Sequence, residues 1–259
     1  MTFRAIETLN VCDYILCEDT RHSQVLLQHY QIHKPLRSFH KFSEASKEEG
    51  VMSDLLNGKT IAVISDAGTP GISDPGSRLV LSCVEHNIQV VAIPGACAAI
   101  AALTCSGLST DRFQFFGFLP KKQEELKTTL SELLRYPGTT ICYESPKRLI
   151  ETLQEIDAMA PDQKVVVARE LTKKFEEIKR GNAKELLDYW KQSPLKGEVV
   201  LMIQGKTQTA DWSVLTPEEH VAWLINAFGQ TKHDAIKMAA EMRGVPKRNV
   251  YNSIIGKNE

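Results

Sequence analysis

Long apolar runs are missing from this 259-residue chain: none approaches the roughly 20 residues that cross a bilayer. The N-terminus shows no signal-peptide pattern, so a cytoplasmic protein is expected, with no membrane partner. Charge of one sign is also missing. At a net charge of −1, no global field draws the chain to a polyanion, and any such partner must be read by local clusters. The six cysteines (Cys12, Cys17, Cys83, Cys97, Cys105 and Cys142) contain no CxxC pair. Reduced thiols follow, with neither a metal site nor a disulfide framework. The seven histidines form no ligand-spaced cluster, so no metal chemistry is suggested. Repeats, low-complexity segments, a Walker loop and a GxGxxG fingerprint are all absent. What is present is ordinary globular composition, 42% hydrophobic and 24% charged, in a chain long enough for one large or two ordinary domains.

The stretch Ile61–Gly76 organises the rest. The run Ile61-Ala62-Val63-Ile64 goes straight into Ser65-Asp66-Ala67-Gly68-Thr69-Pro70-Gly71, breaks again at Ser73-Asp74-Pro75-Gly76, and continues as helix. This reads as a buried strand, a turn rich in Gly and Pro, and a helix start. In an open α/β sheet such a turn lies at the carboxyl end of a strand, where ligands bind, and its glycines let backbone approach a ligand closely. A plain βα connection is the alternative.

Upstream, Met1–Val11 reads as helix and Asp13–Cys17 as a strand delivering Glu18-Asp19-Thr20-Arg21-His22 at its end. A helix is expected over Gln24–Tyr30, a strand over Leu36–Phe39, and an amphipathic helix over Glu44–Asn57. Downstream, Ile88–Ile93 reads as another strand, ending in Pro94-Gly95 and a small-residue helix start. This half is therefore α/β with a mostly parallel sheet. After Ser109–Arg112 a second α/β unit is expected, with strands at Thr139–Tyr143, Val165–Ala168, Phe175–Lys179 and Val199–Ile203 between helices. Gln204–Trp212 reads as a polar linker. The tail then holds helices at Glu218–Phe228 and Thr231–Met242, and a last helix through Ile255 with Pro246 in its first turn. Six Lys/Arg against three Asp/Glu between Gly229 and Glu259 fit a helix-turn-helix outline or a packing domain with a solvated basic face. The expected domains are 1–112, 113–206 and 207–259.

Seven stretches in order carry a resemblance: Cys17–Arg21, Ser65–Pro70 with Ile72–Gly76, Ile93–Ala96, Phe116–Pro120, Tyr143–Arg148, Ala168–Lys173 and Gly197–Leu201. Over nearly the whole chain the sequence resembles the ribosomal RNA small subunit methyltransferase I family of the tetrapyrrole-methylase superfamily. The resemblance implies the class III methyltransferase fold, with two α/β domains, a cofactor cleft between them and a small helical C-terminal domain. It implies S-adenosylmethionine as methyl donor and transfer to the ribose 2′-oxygen of a cytidine in the decoding region of 16S rRNA, in the assembled 30S subunit, by a homodimer. Carried over residue by residue, Gly68, Thr69 and Ile72 fall in the cofactor loop and Cys97 and Ala98 at the junction against the cofactor. Glu144, Leu171, Gly197, Glu198 and Val199 fall where the second domain closes over it. Family members begin with a strand and a Pro-Ile-Gly-Asn-type loop, whereas this chain starts inside the first helix. The first strand and one wall of the cleft are thus expected to be missing.

Methyl transfer to oxygen is an in-line displacement helped mainly by orientation. A ribose hydroxyl also needs an acceptor for its proton, and Glu18, Asp19 and Glu144 are the candidates, with Glu170 behind them. Each has a structural alternative in pairing with a neighbouring base. Phosphates would be held by Arg21, Lys121, Lys122, Lys147, Arg148, Lys173 and Lys174, at strand ends or the interdomain boundary. Two rivals remain open: a tetrapyrrole or other small-molecule methylase of the same fold, and a truncated, non-catalytic RNA-binding paralogue.

Overall fold

A computed structural model describes residues 1–40, 44–192, 196–205 and 215–255, apart from the side chains of 227, 228 and 255. Residues 1–205 form one compact unit and 206–259 a second.

In the first unit, helix α1 (Phe3–Val11) is capped by Thr2, whose hydroxyl accepts the Ala5 N–H. Strand β1 (Tyr14–Cys17) lies between β2 (Leu36–Ser38) and β3 (Ile61–Val63), all parallel, with Ile15 opposite Leu36 and Ala62. Period-2 alternation gives β1 two apolar faces. Tyr14 and Leu16 pack with Phe39, Val51, Met52, Leu79 and Cys83, while Ile15 packs with Leu9, Cys12, Leu27 and Ile32. Four helices complete this part: α2 (Thr20–His29), α3 (Glu44–Leu56), α4 (Ser77–Glu85) and α5 (Ala98–Ser106). Helix α2 starts earlier than its apolar spacing predicts, because the Asp19 carboxylate accepts the Arg21 N–H at 2.8 Å and caps it.

The strand expected at Ile88–Ile93 does not form. Among the described residues this segment pairs with no other strand, and Val90 and Val91 stand exposed. Its β-branched composition suits a strand, but a ladder needs a partner.

A second sheet has the order β4 (Phe113–Phe118), β5 (Thr139–Glu144), β8 (Val199–Ile203), β6 (Lys164–Arg169), β7 (Glu177–Asn182). Only β4 and β5 are parallel; the pairs β5–β8, β8–β6 and β6–β7 are antiparallel. One face, with Cys142, Val165, Val167, Leu201 and Ile203, buries leucines of α6 (Gln123–Leu133), α7 (Pro146–Met159) and α8 (Ala183–Gln192). The other, with Ile141, Val166, Ala168, Val200 and Met202, takes Ala99, Ala102 and Leu103 of α5. Strands covered on both faces read as continuous apolar runs, which is why Val165–Ala168 and Val199–Ile203 stand out in the sequence.

In the tail unit, α9 (Pro217–Phe228) opens with a Thr216–Glu219 capping box and ends at left-handed Gly229. Helix α10 (Lys232–Arg243) is capped by Thr231 and ends at left-handed Gly244, before α11 (Lys247–Ile255). Their core is Val221, Leu224, Ala235, Ile236, Ala239, Ala240 and Val250. Most of the expected linker, beyond Gly205, lies outside the described residues.

Candidate functional site

Three loops converge in the first unit. The glycine-rich turn after β3 folds on itself through Ile72 N–H to the Thr69 carbonyl (3.2 Å) and Gly71 N–H to the Pro75 carbonyl (3.1 Å). Its backbone is left-handed at Gly68, Gly71, Ser73 and Gly76; at Ser73, a residue with a Cβ, that conformation is strained. The Thr69 hydroxyl donates to the Ala96 carbonyl at 2.8 Å, which ties this turn to the start of α5. From β1, the Asp19 N–H donates to Asp66 Oδ1 at 3.3 Å. Against the second sheet, a Cβ on Gly117 would sit 3.5 Å from Ser73 Oγ, so the turn lies over the end of β4.

The lining is small and apolar on one side. Cys97, Ala98, Leu171 and Tyr143 pack around Ala99, Ala168 and Val200, and Phe115 and Phe118 stand edge-on to the Tyr143 ring at 4.9 and 5.5 Å. Ile72 is 42% exposed, and Gly68 has open space where a Cβ would stand. The opposite side is acidic. Burial raises the Asp74 carboxyl above its ordinary value, and Glu18, Asp66 and Glu198 add to the rise. Burial also raises the Tyr143 phenol, with Asp74 among the charges acting on it. Backbone curvature and small side chains beside an apolar wall fit a flat, partly apolar group such as the adenosyl of S-adenosylmethionine in kind.

The sequence candidates divide on these facts. Thr69, in the turn with Gly68 and Ile72, is tied to Ala96 beside Cys97 and Ala98, and Cys97, Ala98 and Leu171 share one apolar cluster. Glu144 and Val199 point to the other face of the sheet: Val199 is in the α6–α7–α8 core, and the Glu144 side chain is fully enclosed. Glu144 accepts from Ser145 N–H (2.6 Å) and Thr152 Oγ1 (2.9 Å) and pairs with Arg148 at 3.3 Å, yet burial still holds its carboxyl above the usual range. Asp19 is held down to about 2 by Arg21, its partner at 2.8 Å. Glu18 is exposed. Gly197 and Glu198 form a latch with Glu170, whose Oε1 accepts the Glu198 N–H at 2.9 Å and the Lys173 ammonium at 3.0 Å. A Cβ on Gly197 would collide with that carboxyl. The Glu198 backbone N–H and Lys173 hold Glu170 below the ordinary glutamate value.

Of the cations, Lys121 and Lys147 are exposed and pair with no carboxylate among the described residues, and Lys174 lies over the Phe175 ring. Lys122 pairs with Glu125 at 2.9 Å, and Lys173 also pairs with Glu198. Arg148 donates to the Leu119 and Pro120 carbonyls, so it fastens the segment after β4. Sequence reading passed over Asp74 and Tyr143. Alternation along β5 was the available signal for Tyr143: if Glu144 faces one way, Tyr143 faces the other. Among the described residues no three His, Cys, Asp or Glu are placed to hold a metal, and no helix is long and apolar enough to cross a membrane.

The family model of the Tetrapyrrole (Corrin/Porphyrin) Methylases matches residues 1–187. The chain is 42% identical over 257 residues to the ribosomal RNA small subunit methyltransferase I of Halalkalibacterium halodurans, covering 97% of this chain and 89% of the relative. It is 41% identical to that of Bacillus subtilis, covering 98% and 88%. Among solved structures, diphthine synthase superposes with a TM-score of 0.60 at 13% identity, covering 80% of this chain and 84% of that one. A cobalt precorrin-4 methyltransferase superposes at 0.58 and 18%, covering 79% and 88%. These structural likenesses show the fold.

Proposed function

Since the chain belongs to the ribosomal RNA small subunit methyltransferase I family, within the tetrapyrrole methylases, we propose that it transfers a methyl group to the ribose 2′-oxygen of a cytidine in the decoding region of 16S rRNA. It is an S-adenosylmethionine-dependent RNA methyltransferase. The observation that carries the site assignment is the Thr69–Ala96 hydrogen bond, which closes the glycine-rich turn onto α5 beside Tyr143.

S-adenosylmethionine, when bound, supplies an electrophilic methyl on a sulfonium. Ile72, Cys97, Ala98 and Leu171 would hold its apolar parts, and the Gly68–Thr69 turn would offer backbone groups, whereas the backbone N–H and carbonyl of Glu198 are both bonded to Glu170. The chain's own task is to orient the ribose oxygen and take its proton. Glu18 and Asp74 favour that role: both border the acidic side, and Asp74, with its raised carboxyl, is a better proton acceptor near neutrality than an ordinary aspartate. Asp19 and Glu144 are less suited, one committed to Arg21 and a helix cap, the other enclosed. Lys121 and Lys147 are the freest of the phosphate-binding candidates, with Arg21, Lys122, Arg148 and Lys173 already paired. Action on assembled 30S subunits and homodimerisation rest on the family resemblance, the division at 112/113 on the change of sequence after the polar Ser109–Arg112 segment, and the cytoplasm as compartment on the reading of the N-terminus and the cysteines.

The test is methylation of 30S subunits that lack the modification, using labelled donor, with the product nucleoside identified by mass spectrometry. A 2′-O-methylated cytidine in the decoding region is the expected product. Label in a base, in another nucleotide, or only in a tetrapyrrole precursor overturns the reading.

A further inference from the structure

We propose that Glu44 and Glu48, one turn apart on α3, are positioning residues that fix the glycine-rich turn for donor binding. The proposal rests on the reading of that turn as part of the donor site.

The turn ends at Gly76, the residue that caps α4, with φ 121° and no side chain of its own to satisfy the N–H groups of the first helical turn. The N–H of Gly76 itself finds its acceptor elsewhere in the chain. Glu44 Oε1 accepts the Gly76 N–H at 3.2 Å. Glu44 is 8% exposed and pairs with no cation among the described residues. A carboxylate buried that deeply costs stability unless a specific interaction offsets it, and a helix N-terminus is a favourable place for negative charge.

Four residues on, and therefore on the same face of α3, Glu48 grips the next stretch of α4. One of its oxygens lies 2.5 Å from Arg78 Nε and the other accepts the Ser82 hydroxyl. Beneath these bonds Val51 and Met52 of α3 pack on Leu79 and Cys83 of α4. Helix α4 is thus held to α3 by two carboxylates at its first two turns, and the hold begins at the last residue of the turn. Gly71 is bonded to Pro75, the neighbour of Gly76, so a shift at Gly76 is transmitted into the segment carrying Ile72, Ser73 and Asp74. Neither glutamate belongs to the cleft lining, and the methyl-transfer chemistry uses neither. Their role is to fix where Ile72 and Asp74 stand.

The experiment measures S-adenosylmethionine binding by calorimetry, and steady-state methylation of 30S subunits, for Glu44→Ala, Glu44→Gln, Glu48→Ala and, as a probe of the turn itself, Thr69→Val. Folding is checked by circular dichroism and thermal melting. The expected result is a roughly tenfold weaker Kd for Glu44→Ala and a smaller loss for Glu48→Ala, with kcat at saturating donor reduced as well, because Asp74 shifts with the turn. Glu44→Gln, whose amide oxygen can still accept from Gly76, recovers most of the affinity. Should Glu44→Ala not fold, Glu48→Ala and Glu44→Gln decide the matter: wild-type Kd for the first, or a Kd roughly tenfold weaker than wild type for the second despite its retained acceptor, overturns the proposal. Folded Glu44→Ala with wild-type Kd overturns it too. If Thr69→Val weakens binding and Glu44→Ala does not, the brace is refuted while the donor turn stands. If neither has any effect, the assignment of the turn itself has failed.

Discussion

The two sheets of the first unit differ in how completely they are enclosed. Strands of the second run five or six residues, and its inner strands β5, β6 and β8 are covered on both faces, so that Ile141, Cys142, Val165, Val167 and Leu201 have no exposure at all. Strands of the first run three or four residues, and among the described residues β3 is an open edge and Ile88–Ile93 pairs with no strand. Yet the first sheet supplies the turn with Gly68, Thr69, Ile72 and Asp74. Binding elements tend to come from the less stable part of a fold, and the better-packed sheet serves as the platform against which they are set.

The strongest way to break this comparison is to empty both cores. Leu153 of α7 is fully buried in the second core, and Leu153→Ala is expected to cost about 2–5 kcal/mol in denaturant unfolding. Leu36→Ala on β2, a half-buried position, should cost clearly less; equal losses would refute the inequality. Native-state hydrogen exchange sharpens it further, with amides of β5 and β8 outlasting those of β2 and β3. Next comes the latch: Gly197→Ala places a Cβ at φ 93°, against the Glu170 carboxyl, and should destabilise by about 1–3 kcal/mol while weakening donor binding. Third, Thr69→Val removes one hydrogen bond of about 1 kcal/mol, which corresponds to about a fivefold rise in donor KM. The smallest effect is one of pH. Asp19 is held at about 2 in the folded protein against an ordinary 3.8, so its contribution is present above pH 3.8 and lost as pH falls toward 2. Arg21→Ala should flatten that part of an acid-denaturation curve and lower stability at pH 7 by the same amount, which is small because the pair is exposed.

Much of this was legible in the chain. Strands β1, β3, β5, β6 and β8 follow from their apolar runs, and the glycine-rich turn from its two Pro-Gly breaks. Two kinds of fact were not legible. One is which face a residue shows when its neighbours are all apolar or all polar: Glu144 reads like a strand-end carboxylate, and only the packing of α7 reveals that it is enclosed. The other is long-range partnership. Ile88–Ile93 has the composition of a strand, but pairing depends on what lies beside it. Nothing local to Glu44 or Gly76 announces a bond between residues so far apart in sequence.

The order of the second sheet sets a timetable for its making. Strand β8, which the ribosome adds last, lies between β5 and β6, which it adds earlier. At about 5–20 residues per second, the edge of β5 that will receive β8 waits roughly 3–12 s between the synthesis of Glu144 and that of Ile203. During that interval the central slot of the sheet stands open on both sides, and a nascent chain stalled before Val199 exposes two adhesive strand edges with no internal remedy. Completion of the platform is therefore all-or-none with respect to chain length, and any C-terminal truncation that reaches β8 removes the keystone of the sheet.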